Sequence, residues 1–408
     1  MRLGGCVLIE LLAGVSLLAG TGVGSYLGAR TTWTFFDKQA HARSVADALS
    51  SSSVSSQFTP TSSSSLPASP LATNRVSFFS TLSWPPSFVA QDSWRLLTLS
   101  VARLDAPARL NPVATPFGVF RGIRDDYLLE PLRDSTVVRS KFNRGGSSIS
   151  LRVDFSSGAR AAFKPEQTNL QSIPRKEVAA YRIDRLLGIN AVPPAIAREL
   201  PVADLIARLD PGSRALLPRF MREAKQGEEG TVAGELSWWI PELVDARIEG
   251  FEIDDVNGIV LWKRYLTVGA PVPVSAERLV EQISKMVSFD FLINNPDRWS
   301  GANTKTSPDG RVLFFMDNTM SFGPEPSGVM KVHVYLGRVQ RFSRSLYQAL
   351  RRLSLDDLRE AMLVDTGPYE QLLSDREMDA VITRRDRLVD YIDSLIAAHG
   401  EQAVLVFQ

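Results

Sequence analysis

The chain of 408 residues contains a single cysteine, Cys6, and three histidines. A disulfide framework or a Cys-based zinc site within one chain is excluded, and a His metal cage lacks ligands. An excess of charge is missing too. Lys and Arg number 46 against 45 Asp and Glu, a net charge of +1, which argues against nucleic acid as a partner. No repeat at a period of about 20–50 residues is visible, so the chain does not read as a solenoid or propeller.

What is present begins with an apolar run at residues 5–29, GCVLIELLAGVSLLAGTGVGSYLGA, interrupted only by Glu10. Its length suits a membrane span of about 20 residues. It would also suit a signal-peptide core, for which Arg2 alone makes a weak n-region. The expectation is a retained single-pass anchor over residues 1–30. Arg30, Lys38 and Arg43 outnumber Arg2, which leans towards a cytoplasmic body. Gly20, Gly24 and Gly28 share one helix face, as in helix-pairing motifs that would give an anchor-mediated dimer, although small residues are simply common in such segments. Residues 31–76 are Ser-rich and aperiodic, a flexible spacer.

The folded body is expected from residue 77, β-rich over 77–243 and helical over 244–408: an α+β, two-lobe architecture. Residues 78–140 are hard to read. At 142–164, FNRGGSSISLRVDFSSGARAAFK, Gly145 and Gly146 lead into alternating Ile149, Leu151, Val153 and Phe155. A turn at Ser156-Ser157-Gly158 then returns a second strand ending in Lys164. A Gly-rich segment feeding a hairpin that ends in Lys can cover and pair ATP phosphates. Taken alone, double glycines mark turns and a strand-end lysine is a solvated edge. A helix follows at Pro174–Gly188 with Glu177 in its first turn, where it favours the helix dipole or partners Lys164. Strands are expected at Ala195–Leu200 and Leu236–Leu243, the second carrying Trp238 and Trp239 as core and joining the lobes.

The stretch Ser288–Phe322 is the one the rest is organised around. An apolar helix end breaks at Asn294-Asn295-Pro296 and presents Asp297-Arg298. The chain turns at Pro308-Asp309-Gly310 and rises through Val312–Met316 to Asp317-Asn318, with Asn303 between the two carboxylates. Phosphoryl transfer needs such a set: one carboxylate for the nucleophile's proton, and an Asp with an amide oxygen for Mg²⁺ on the phosphates. Helices are expected at Arg278–Phe291, Leu346–Leu353, Leu355–Val364, Pro368–Leu373 and Asp375–Ala398.

FDFLINNPDRWSGANT followed by VLFFMDN, with KEVAAYRIDRLLGINAVPPAIAR upstream, resembles the atypical secretory-pathway kinases, the four-jointed and Golgi casein kinase group. The same motif logic occurs in HipA-like and phosphatidylinositol kinases. The resemblance covers roughly residues 142–322 well. It implies ATP and Mg²⁺ or Mn²⁺ as cofactors. Lys164 would pair the α/β-phosphates, and Glu177 would hold Lys164 or help with the metal. Asp297 would be the catalytic base and Asp317 the metal-binding Asp, here in Asp-Asn-Thr. Asn303 is the second metal ligand by position, one residue further from Asp297 than is usual, and Trp299 stands where a His often follows. The acceptor would be a hydroxyl of protein Ser/Thr, or of a glycan or lipid. ATP is scarce outside most cells, which favours the cytoplasmic face, whereas the resemblance is to enzymes of a secretory lumen, and the side of the membrane stays open. The alternatives are an inactive kinase-fold binding module and a spore-coat-type surface protein on a Ser-rich stalk.

Overall fold

The computed structural model describes residues 118–408, Ala302 apart. The anchor, spacer and dimer face expected over residues 1–76 lie outside the described residues. Among the described residues no helix is long and apolar enough to cross a membrane.

The first lobe is a five-stranded antiparallel sheet flanked by helices. Helix α1 (Asp125–Asp134) precedes β1 (Val137–Phe142), β2 (Leu151–Phe155) and β3 (Arg160–Pro165). Helix α2 (Pro174–Leu186) follows, then β4 (Ala195–Pro201) and β5 (Thr231–Trp238), giving the spatial order β1-β2-β3-β5-β4. Alternation sets the faces: Leu151, Val153 and Phe155 are buried while Arg152 and Asp154 are half-buried. In β3, Ala161 and Phe163 point into the core and Lys164 points the other way, beside Glu235 on β5. Strand β5 begins at Thr231 and ends at Trp238, earlier at both ends than the sequence suggested. Pro241 has no N–H to donate to a ladder, and the chain leaves the sheet before it.

Helix α2 is buried along nearly its whole length, charged residues included. Arg182 apart, its charged side chains are hydrogen-bonded. Arg185 and Tyr181 bond to fully buried Asp125, and Arg175 forks onto Glu377 at 2.9 Å. Lys176 donates to the Ser321 carbonyl at 2.6 Å. The helix that carries Glu177 is therefore pinned from three sides.

The second lobe runs through β6 (Val244–Asp245), α3 (Val256–Tyr265) and α4 (Val274–Ile293), then β7 (Thr304–Thr306) and β8 (Leu313–Phe315). Helices α5 (Met330–Leu336), α6 (Arg344–Arg352), α7 (Leu355–Leu363) and α8 (Asp375–His399) complete it, and β6, β7 and β8 form a small sheet in the order β8-β7-β6. Helix α4 ends where Asn294 turns left-handed at φ 55°, a conformation that Asn tolerates. Its side-chain oxygen then accepts from Val329 at 2.9 Å, fastening the start of α5. Arg384 of α8, fully buried, donates to the Leu292 and Glu325 carbonyls and joins the end of α4 to the segment after Asp317.

No helix forms at Pro368–Leu373, contrary to the reading from periodicity. Gly367, at φ +59°, passes so close to β4 that a Cβ would meet the Ala197 carbonyl at 2.4 Å, and adjacent Leu372 and Leu373 are both buried. A helix would turn two adjacent residues about 100° apart, so burying both is easier in irregular chain.

Candidate active site

Four charged side chains converge between the lobes. Lys164 of β3 forms an ion pair with Asp317, which follows β8. Asp317 is itself left-handed, at φ 58°, and its Oδ1 also accepts from Thr319 at 3.2 Å. Glu177 does not bond Lys164 directly. Both its oxygens accept from Asn318, one from the backbone N–H and one from the side-chain amide at 2.9 Å. Glu177 stands in the first turn of its helix, and it grips the residue after Asp317 and fixes where that carboxylate stands.

Glu235, which sequence reasoning missed, is the fourth. It is Lys164's cross-strand partner, 2% exposed, and accepts from the Ser237 hydroxyl at 2.7 Å. Burial, and next the Glu177 carboxylate, push it up to about 8. Burial likewise raises Glu177. For Asp317, burial opposes the charge, but the Lys164 ammonium holds the carboxyl below the usual range. Burial also opposes the Lys164 charge, and Asp317, Glu177 and Glu235 together hold it above the ordinary value. One ammonium thus faces three carboxyl groups. The only hint in the sequence was a single acid in an otherwise uncharged strand.

The packing of this corner is close. A Cβ on Gly234 would meet the Lys164 carbonyl at 2.4 Å and the Phe163 ring at 2.6 Å. Gly234→Ala should therefore wedge β3 from β5 and cost about 1–3 kcal/mol. A urea unfolding midpoint equal to that of the wild type would refute this.

The other loop carboxylate, Asp297, lies one loop away. Asp297 takes a hydrogen bond from the Asn303 side-chain amide at 2.9 Å, and its own N–H donates to Asn295 at 3.0 Å. Asn303 is thus placed to hold Asp297 by its Nδ2. The extra residue between them is absorbed in a turn, where Ser300 N–H and hydroxyl both donate to the Asp297 carbonyl and Gly301 takes φ +96°. Burial lowers the Lys331 ammonium of α5, and the Asp297 and Asp290 charges act in the other direction. Trp299, in the position where a His often follows, is buried. It stacks on Tyr335 at 4.6 Å and lies 5.4 Å from Trp262.

Asn318 and Arg298 join the two halves. The Asn318 oxygen accepts from Arg298 at 2.6 Å and from Asn295 at 3.2 Å, while its amide reaches Glu177. Arg298, fully buried, also grips Asp290 at 3.1 Å and the Met316 carbonyl. A line of contacts runs from Glu177 through Asn318 to the loop of Asp297.

Gly145 and Gly146 form the apex of the β1–β2 loop, both at positive φ. They line a cavity of about 190 Å³ with Arg144, Leu216 and Arg219. Lys164 is not among the residues lining that cavity.

A β-sheet lobe with a strand Lys, a buried helix Glu, and a helical lobe carrying two loop carboxylates is a protein-kinase-like fold. The chain resembles the atypical secretory-pathway kinases, the four-jointed and Golgi casein kinase set. No family model matches it. The mouse pseudokinase FAM20A is 25% identical over 308 residues, 64% of this chain and 56% of the relative. The human extracellular serine/threonine protein kinase FAM20C is 20% identical over 329 residues, 68% of this chain and 53% of the relative. Human glycosaminoglycan xylosylkinase is 20% identical over 324 residues, with 68% and 77% covered. The chain thus spans little more than half the length of the two FAM20 proteins. Among solved structures, the Golgi casein kinase with Mn/ADP bound superposes at TM-score 0.53 and 16% identity over 69% of this chain and 78% of that one. Hydra Fam20 with sugar gives TM-score 0.51 and 16% identity over 68% and 90%.

Proposed function

We propose that this protein is an ATP- and metal-dependent kinase that phosphorylates a hydroxyl, with protein Ser/Thr as the acceptor class. The observation that carries this is the convergence of Lys164, Glu177 and Asp317 from three separate elements, with Glu177 fixing Asp317 through Asn318. The two relatives named as kinases, FAM20C and glycosaminoglycan xylosylkinase, support transfer to a hydroxyl. The first favours a protein acceptor and the second a glycan.

The residues fit a divalent cation. The carboxyl groups around Lys164 offer hard oxygens, the donor type that suits Mg²⁺ or Mn²⁺. Among the described residues no three His, Cys, Asp or Glu side chains form a cage. A metal held by one or two carboxylates plus substrate phosphates needs none. Asp317 would hold it, with Glu177 close by, and when bound it would neutralise phosphate charge. Lys164, freed from Asp317, would pair phosphate oxygens. Asp297, steadied by Asn303, would orient the acceptor hydroxyl and take its proton.

The full-length protein should melt about 5 °C higher with saturating ATP and Mn²⁺ than without, and Asp317→Ala should remove the shift. A wild-type protein indifferent to every nucleotide and metal would sink the proposal. A shift without phosphoryl transfer would favour the inactive binding module, a reading that the similarity to pseudokinase FAM20A keeps in view.

A further inference from the structure

Gln167 lies three residues beyond Lys164, only 1% exposed, and its side-chain amide is hydrogen-bonded through both its oxygen and its nitrogen. The oxygen accepts from Ile149 N–H at 2.8 Å, and the nitrogen donates to the Ile149 carbonyl at 3.0 Å. That pairing copies a rung of β-ladder at the foot of the glycine loop. The same nitrogen reaches the Pro165 carbonyl and the Ser172 hydroxyl, both at 3.2 Å. Pro165 ends the strand of Lys164, and Ser172 precedes the helix of Glu177.

The loop is fastened elsewhere too. Asn143 N–H closes its neck on the Ser150 carbonyl at 2.9 Å. Arg219, from the helix Leu217–Glu223, donates to the Ser147 carbonyl at 2.6 Å. Ser147 and Ile149 are thus held, and the Gly145-Gly146 apex is the part left without such a tie.

We infer that Gln167 is a positioning residue for nucleotide: one amide clasps the glycine loop, the Lys164 strand and the start of the Glu177 helix into a single geometry. The inference rests on the nucleotide reading above. A loop set in advance loses less freedom when it closes on phosphates, so the clasp contributes to affinity rather than to the chemical step.

Gln167→Met keeps the side chain's bulk and removes its polar atoms. In the full-length protein it should accelerate amide exchange across residues 143–150 and raise the KM and Kd for ATP about tenfold. The kcat at saturating ATP should stay within about threefold of wild type. A merely structural role would lower the melting temperature and leave KM unchanged in the folded protein. ATP affinity within twofold of wild type would overturn the inference, as would unchanged exchange in the loop. Should Gln167→Met fail to fold, Arg219→Ala releases the same loop from its outer side. It should raise KM about threefold, and an unchanged KM there counts against the clasp. A wild-type protein without nucleotide affinity would sink the nucleotide reading and this role together, whereas affinity that survives Gln167→Met sinks this role alone.

Discussion

Replacing Arg298 with Met is expected to cost about 3–5 kcal/mol at neutral pH, because it leaves the Asp290 carboxylate buried without a counter-charge. With Arg298 in place, burial pushes Asp290 up to about 6, and the guanidinium limits the rise. A carboxyl raised on folding favours the fold fully below its unfolded value and loses that contribution as pH climbs through its folded value. Removing Arg298 raises the folded value further. The deficit should therefore be largest well above pH 6 and shrink below it, where Asp290 is neutral in both proteins. Urea unfolding at about pH 5 and pH 8 would read it, and a deficit that is equal at both, or under about 1 kcal/mol, would count against the argument. Activity should fall with stability, since the same guanidinium holds Asn318 and the Met316 carbonyl on either side of Asp317.

That coupling explains what was legible beforehand. Asp297, Asp317, Lys164 and Glu177 could be found because each sits at a local break in pattern: a loop after a capped helix, a strand end, a first helical turn. Their types and order are local facts. The partners are not. Asn318 follows a recognised Asp yet binds Glu177, 141 residues away, and Arg298 together. Nothing in a period of 2 or 3.6 encodes that contact. Glu235 becomes informative only once the register sets it opposite Lys164. Gln167 has no local signature, because its four bonds join loop, strand and helix. The α+β content was readable because the long strands come early in the folded part and the long helices late. The misread helix at Pro368–Leu373 failed where tertiary contact with β4 overrides local preference.

Asp297→Asn separates the two carboxylate sites by function. Asp297 makes its contacts with Asn295 and Asn303, outside the Lys164–Asp317–Glu177 cluster. The variant should therefore bind ATP and metal within about twofold of wild type. Its turnover should drop about 10²–10⁴-fold, the range for losing a general base. Asn303→Ala leaves the carboxylate but frees its rotation, and an intermediate loss of about tenfold is expected, carried by kcat rather than KM. Steady-state kinetics beside nucleotide titration would test both. If Asp297→Asn weakens nucleotide binding as much as turnover, Asp297 belongs to the phosphate-holding set and the division of labour fails. If turnover is untouched, the acceptor's proton leaves by another route, and Lys331, the cation on which the Asp297 charge acts, would be the next residue to replace.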